Sequence, residues 1–402
     1  MYNIRKITED IVWLGANDRR LAKFENTYVT PEGMSYNNYL ILDEKTCLVD
    51  GIDDNVSRFF LENLQEALQG RDLDYMVVNH MEPDHCAMIP RLVELYPNLT
   101  LVATGMAFKM MAQFYDLDPM ERAMVVKEND RLSLGKHELS FIMAPMVHWP
   151  EVMVTYDETS KTLFSADVFG EFGCVGPTLF ADEVNWEKEC LAEARRYYAC
   201  IVGKYGPQSI TLLNKLKTKE IELICPLHGH VWRQNLELIL SYYDKWTSYT
   251  PEENSVVIFY GSVYNNTANA ADILGTMLVE KGLKNVKVYD TAKTDTSYLL
   301  AKAFEYSHWV MAASTYNAFI FDGTAILLDE IKHHAIKNRT VGIIENGTWS
   351  PTTGAQIQKE LEGLHGMTFL EPIVRIKSSV KEENLEQLEA LAQSIVDSIN
   401  AL

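Results

Sequence analysis

Residues 75–85 read Tyr-Met-Val-Val-Asn-His-Met-Glu-Pro-Asp-His, and this stretch decides the fold. The apolar run at 75–78 has the pattern of a buried strand. Four potential metal ligands follow within six residues, His80, Glu82, Asp84 and His85, on a loop stiffened by Pro83. One ion cannot easily take all four from so tight a loop, whereas two adjacent ions can share them. Further candidates stand at similar strand ends: His148, Asp167 and His228. Together, four imidazoles and three carboxylates give each of two ions two nitrogens and at least one oxygen, with one carboxylate left to bridge. Nitrogen and oxygen ligation without thiolate suits iron, manganese or zinc. A lone His or Asp is more often a satisfied core or capping residue; a cluster of this density is not. His137 and His230 are read as surface or structural residues and stay outside the set.

Working outward, residues 39–42 and 46–49 flank Asp43-Glu44-Lys45 as a hairpin does. An amphipathic helix at 56–68 then leads to the strand at 75–78. Short strands at 139–144, 153–156 and 162–165 mix with longer helices further on. That pattern predicts an α/β layered domain with much antiparallel pairing. A polar cluster with a proline at 247–254 interrupts a helix and precedes an apolar strand. It marks a domain boundary, giving domains at 1–250 and 251–402.

Beyond it the pattern alternates. Strands are predicted at 256–260, 286–289, 309–313, 340–344 and 368–376. Helices are predicted at 268–281, 297–306, 325–336, 354–364 and 383–399. Five strands alternating with helices indicate a doubly wound parallel sheet, whose ligand loops lie at the carboxyl ends of the strands.

Three of those ends carry ligand-binding chemistry. After the first strand come Gly261, Ser262, Val263, Tyr264, Asn265, Asn266 and Thr267. Small hydroxyl and amide groups at a helix N-terminus make a neutral phosphate cradle. No lysine is present, so a nucleoside-triphosphate loop is excluded; an ordinary strand-to-helix turn is the competing reading. Ser314, Thr315, Tyr316 and Asn317 follow the third strand, and Asn346, Gly347, Thr348, Trp349 and Ser350 the fourth. Both bring an aromatic and hydrogen-bonding groups to one sheet edge, as a flat heteroaromatic ring requires.

Composition narrows the class. The formal net charge of −20 over 402 residues disfavours nucleic acid, which calls for clustered lysine and arginine. No apolar stretch is long enough to span a bilayer and no signal-peptide pattern opens the chain, so a cytoplasmic protein is expected. None of the six cysteines, Cys47, Cys86, Cys174, Cys190, Cys200 and Cys225, forms a Cys-x-x-Cys pair, so buried reduced thiols are expected rather than an iron–sulfur or zinc site.

The His80–His85 cluster resembles that of the metallo-β-lactamase superfamily, whose hydrolases carry His where Glu82 stands. Glu82 in that place, with the flavodoxin-like loops downstream, resembles the flavodiiron proteins over nearly the whole chain. The resemblance implies a metallo-β-lactamase-like αββα sandwich followed by a flavodoxin-like five-stranded sheet. It implies that His80, Glu82 and His148 hold one iron, that Asp84, His85 and His228 hold the other, and that Asp167 bridges them. It also implies FMN in the three loops, and reduction of dioxygen to water or of nitric oxide to nitrous oxide. With no rubredoxin or reductase module after Leu402, electrons are expected from a separate rubredoxin-like donor. In the family the two cofactors of one chain lie far apart, so a head-to-tail homodimer or tetramer is expected. Two departures stand out: Asn265 where many flavodoxins have Gly, and Glu25 where many relatives have a His. Trp149, next to a presumed ligand, is read as packing between iron and flavin, and one of Tyr197 and Tyr198 as a hydrogen-bond or electron donor near iron, with core or helix packing as the alternative for each. A zinc hydrolase fused to a flavodoxin, and an electron carrier on a dead scaffold, are the rival readings.

Overall fold

The structure is a computed structural model describing residues 3–402. The apolar run ahead of the ligand cluster forms the strand Tyr75–Val77, fifth in a seven-stranded sheet. Ahead of it in that sheet lie Arg5–Lys6, Ile11–Trp13, Tyr39–Leu42 and Thr46–Val49; Thr100–Ala103 and Ala123–Val125 follow. The Tyr39–Leu42 and Thr46–Val49 hairpin is antiparallel as expected, and from Thr46–Val49 onward the neighbours run parallel. A second, five-stranded sheet orders Arg131–Ser133, Glu138–Met143, Met153–Asp157, Thr162–Phe164 and Leu223–Cys225.

Alternate residues of the two sheets meet in one apolar layer. Ile11, Trp13, Tyr39, Ile41, Val49, Val77 and Val102 face Leu139, Phe141, Met153, Phe164 and Cys225. Each residue in that layer is almost wholly withdrawn from water, at roughly 2 kcal/mol for a large side chain. The helix Ser57–Leu68 shows why helices flank the sheets. It buries Phe60, Asn63, Leu64 and Leu68 along one stripe and ends at Gln69 in the left-handed region, with φ +50°.

The chain divides into two compact units: residues up to Tyr198 with Tyr205–Asp244, and Ala199–Lys204 with Lys245–Leu402. In the second, strands β1 (Glu253–Gly261), β2 (Lys287–Asp290), β3 (Tyr306–Tyr316), β4 (Thr340–Asn346) and β5 (Val374–Ile376) run parallel in the order 2-1-3-4-5. Helices α1 (Asn266–Glu280), α2 (Thr296–Glu305), α3 (Asp322–His333), α4 (Thr353–Leu361) and α5 (Glu382–Asn400) alternate with them. This is the flavodoxin order, and its topological switch falls between β1 and β3.

One expectation is corrected. The fifth strand, expected unbroken over 368–376, is two short strands, Thr368–Phe369 and β5, both parallel to β4. Thr340 pairs with Thr368 but Ile344 with Val374, so two extra residues loop out between them. Pro372 lies in that loop, where its missing N–H breaks no rung.

Candidate metal centre and cofactor cavity

Each metal-ligand candidate leaves the end of a strand. His80, Glu82, Asp84 and His85 follow Tyr75–Val77, Asp167 follows Thr162–Phe164, His228 follows Leu223–Cys225, and His148 sits in the loop before Met153–Asp157. Pro83 opens a one-turn helix, Pro83–Cys86, which turns Asp84 and His85 back toward His80. Asn79 fixes where the loop begins. Its amide groups bond Asp50, at 2.7 and 2.8 Å, and Thr155 Oγ1 donates to its carbonyl at 2.7 Å. Gly51 N donates to His85 O at 2.7 Å, and a Cβ on Gly51 would sit 2.8 Å from that oxygen, so only glycine fits.

All seven side chains converge, all are buried, and they sort into two groups. His80, Glu82, His148 and Asp167 form one; Asp84, His85 and His228 form the other. Glu82 Oε2 lies 3.2 Å from His80 Nε2 and 3.1 Å from His148 Nε2. Asp84 Oδ2 lies 3.3 Å from both His85 Nε2 and His228 Nε2. Asp167 divides its oxygens: Oδ2 approaches His80 and His148 at 3.2 and 3.4 Å, while Oδ1 approaches His85 and His228 at 3.3 and 3.6 Å. That is the placement of a carboxylate shared between two ions.

Polar satisfaction supports the same conclusion. Both carboxylate oxygens of Asp84 and of Asp167, and the Nε2 atoms of His85 and His228, are buried with no hydrogen bond among the described residues. Orphaned groups of this kind would cost several kcal/mol together unless a ligand satisfies them. Burial alone would raise Asp167, but His148, His80 and His85 outweigh it and hold the carboxyl well below the usual range. Glu82 is held down in the same way by His148 and His80. The site gathers carboxylates and imidazoles in one buried cluster, a donor set that fits two hard-to-borderline cations.

The supporting contacts were not all legible beforehand. Glu151 Oε1 accepts from His80 Nδ1 at 2.8 Å and from Met81 N at 2.9 Å, fixing the tautomer that aims Nε2 at the site. Its only signal in the sequence is a position three residues past His148. Ser35 O does the same for His228 Nδ1 at 2.7 Å. Glu25 lies in the tight turn between Lys23–Phe24 and Tyr28–Val29, largely toward solvent, yet its carboxyl bonds Glu82. The carboxyl end itself is turned inward, and its burial, with the hydrogen bond and charge of Glu82, raises it above the usual carboxylate range.

Trp149 packs edge-on against His80, with ring centroids 5.3 Å apart. Tyr197 stands 5.5 Å from the His228 ring, its hydroxyl buried without a hydrogen bond among the described residues, whereas Tyr198 packs on Tyr243. His137 and His230 are structural: His137 is paired with Asp157 at 2.6 Å and His230 with Glu171, which also accepts from Trp186 at 2.8 Å. Neither is a surface residue.

In the second unit a cavity of about 660 Å³ opens at the carboxyl ends of β1, β3 and β4. Ser262, Val263, Tyr264, Asn266, Thr267, Ser314, Thr315, Tyr316, Asn317, Asn346, Gly347, Thr348, Trp349 and Ser350 line it. Asn265 does not line it; it takes the left-handed conformation, φ +64°, that starts α1, which explains why glycine is common there. Ala318, Thr352, Gln356 and Ser378 also line the cavity and were missed, since they lie past the three loops. Ser262 Oγ is buried with no hydrogen bond among the described residues, and Thr267 Oγ1 and Ser314 Oγ lie 2.8 Å apart beside it. These hydroxyls, from the loop before α1, its first turn and the end of β3, fit a phosphate monoester. The exposed rings of Tyr264 and Trp349, 87% and 90% accessible, fit the flat ring of a flavin at the mouth.

A sandwich with a dinuclear ligand set and a flavodoxin-type sheet with its cavity at the switch point define a metalloflavoprotein oxidoreductase. Residues 34–229 match the model of the ODP family beta lactamase. The chain is 31% identical over 349 residues to an anaerobic nitric oxide reductase flavorubredoxin of Escherichia coli, covering 86% of this chain and 72% of the relative. Among solved structures, rubredoxin oxygen:oxidoreductase of Desulfovibrio gigas superposes with a TM-score of 0.90 at 27% identity, over 99% of both chains. The flavodiiron protein of Giardia intestinalis shares the fold, with a TM-score of 0.90 at 24% identity, over 100% of this chain and 98% of that one. The chain belongs to the flavodiiron proteins, oxidoreductases that carry FMN and a non-haem diiron site.

Proposed function

We propose that this protein reduces dioxygen to water, nitric oxide to nitrous oxide, or both, with electrons passed through FMN from an external donor such as a rubredoxin. The observation that carries the reading is the division of seven buried ligands into two groups that share the two oxygens of Asp167. Relatives are named for each gas, one a nitric oxide reductase and one a rubredoxin oxygen:oxidoreductase.

In this reading His80, Glu82 and His148 would hold one iron and Asp84, His85 and His228 the other, with Asp167 shared between the two groups. The irons, when bound, would supply Lewis acidity and electrons for gas reduction. The chain's own residues set the conditions. Burial of the ligands keeps bulk water out. Glu151 and Ser35 O hold His80 and His228 in the tautomers that face inward. Glu25 places its carboxyl against that of Glu82 at the rim. Fifteen residues of the three loops, at 262–267, 314–317 and 346–350, are proposed to hold FMN; fourteen of them line the cavity, and Asn265 acts through the backbone turn that starts α1.

The assembly proposed is a head-to-tail homodimer, or a tetramer of such dimers, in which the FMN of one subunit serves the diiron site of its partner. No disulfide links its cysteines among the described residues and no described helix is long and apolar enough to cross a membrane, in keeping with work in the cytoplasm. The test is consumption of each gas, measured separately with one reduced rubredoxin, on protein from iron-replete cells with its metal content determined. Iron with turnover of at least one gas is expected. Zinc with no gas turnover would overturn the proposal.

A further inference from the structure

The cofactor cavity has a wall that its three loops do not supply. Ser378, two residues past β5, lines it beside Thr348. Asn346 and Ile376 are partners in the last rung between β4 and β5. Beyond that rung the ladder continues through a side chain. Asn346 Nδ2 donates to Ser378 O at 2.9 Å, and Ser378 N donates to Asn346 Oδ1 at 3.1 Å. Two more bonds reach the next loop residues: Gly347 N donates to Ile376 O at 3.2 Å, and Ser378 Oγ to Thr348 Oγ1 at 3.1 Å.

The amide of Asn346 thus stands in for a peptide unit and prolongs the sheet around the bend. Each polar end of the amide is engaged in the ladder and the side chain is buried, so its main part in the cavity wall is to hold the loop. What it governs is the loop. Gly347 is pressed so closely on Pro351 that a Cβ would meet its Cα at 2.9 Å, and the whole turn is clamped to the sheet edge.

We propose that Asn346 and Ser378 form a latch that positions the third flavin loop, so that the loop binds reduced FMN more tightly than a free loop would. Resting on the reading of this cavity as the FMN site, the inference assigns both residues as positioning residues. Where the clamped turn holds backbone N–H groups toward the ring, those fixed donors favour the state that carries more negative charge, and reduction adds charge to the flavin. An untethered loop would reorient at a cost in each redox state, and the larger loss falls on the hydroquinone.

The test compares holoprotein carrying Asn346→Ala, Asn346→Ser and Ser378→Gly. Ser378 sits at φ +70°, which glycine adopts freely, so Ser378→Gly retains both backbone bonds to Asn346 and loses only the bond to Thr348. The readouts are FMN dissociation, the two-electron midpoint potential, and circular dichroism as a check on folding. Asn346→Ala is expected to weaken oxidised FMN by roughly tenfold, the loss of two modest hydrogen bonds. A loss of affinity about tenfold greater for the hydroquinone corresponds to a potential lower by about 30 mV. Ser378→Gly is expected to lie nearer the parent protein. If Asn346→Ala does not fold, Asn346→Ser, polar but too short to reach Ser378, carries the same readouts. Parent protein that retains no FMN would overturn the cavity reading itself. Folded Asn346 variants with the parent's affinity and potential would overturn the latch alone.

Discussion

At the scale of single residues, Asp167 and Glu151 separate two kinds of support for the metal centre. Asp167 offers one oxygen to each ligand group, so Asp167→Ala removes a donor from both ions at once. Iron is expected to fall below one atom per subunit by elemental analysis, while FMN, held in the other unit, stays bound by absorbance. Glu151 touches no ion in the proposed assignment; it orients His80 through Nδ1. Loss of such an outer carboxylate costs about 10–100-fold in metal affinity. Glu151→Ala should therefore take up two irons yet release them faster to a chelator, and release at the parent's rate would remove its orienting role. The difference in legibility has the same origin. A candidate ligand announces itself by residue type and density, as His80, Glu82, Asp84 and His85 do. Glu151 and Glu25 are single acidic residues whose meaning arises only when the chain folds back on itself.

At the scale of elements, the second unit was legible because its strands and helices are long and alternate. Runs such as β3, with burial on both faces, carry a pattern that short segments cannot. In the first unit, strands of two to four residues such as Arg5–Lys6, Ala123–Val125 and Leu223–Cys225 show too few alternations to be recognised. The splitting of the fifth strand was hidden for a related reason: Pro372 alone does not reveal that the pairing resumes two residues out of step. Arg339 was invisible as a structural device. The helix α2 runs directly into β3 without a loop, leaving its last carbonyls in need of donors. Arg339 Nε donates to Ala303 O at 3.1 Å, Nη2 to Phe304 O at 2.7 Å, and Nη1 to Tyr249 O at 2.7 Å. Burial without a carboxylate partner pushes the guanidinium down to about 9. Arg339→Met would leave those carbonyls unsatisfied and is expected to destabilise the unit by about 3 kcal/mol in urea unfolding. Arg339→Lys should recover only part of that loss, because an ammonium cannot reproduce the fork.

The same unit contains a predicted source of acid sensitivity. His308, buried in β3, lies between Ser307 Oγ at 2.8 Å and Ser398 Oγ of α5 at 3.0 Å, and burial depresses it from 6.5 to about 4. Between those two values the unfolded chain binds the proton and the folded chain does not. Stability contributed by the neutral imidazole is therefore complete above pH 6.5 and is lost as pH falls toward 4. The loss amounts to roughly 3 kcal/mol from this one group. Urea midpoints at pH 7 and pH 5 should converge in His308→Leu relative to the parent protein. An equal acid shift in both proteins would exclude His308 as a source.

At the scale of the whole molecule, the proposed head-to-tail assembly makes a prediction that no single chain can satisfy. Asp167→Ala chains keep FMN but lack a working metal site. Ser262→Glu chains keep the metal ligands, but a carboxylate in the phosphate loop, where Ser262 Oγ lies buried, repels the FMN phosphate. Each variant alone is inactive under either geometry. Coexpressed, they assemble at random, and half of the dimers pair one chain of each kind. If electrons cross between subunits, such a dimer has one complete route, from the FMN of the Asp167→Ala chain to the irons of the Ser262→Glu chain. By the two-fold symmetry of the assembly, gas turnover should then recover to about one quarter of the parent value. If electrons pass within a chain, no route is complete in any dimer and nothing recovers. Absence of recovery in a preparation shown by mass to contain mixed dimers would therefore refute the exchange of electrons between partners.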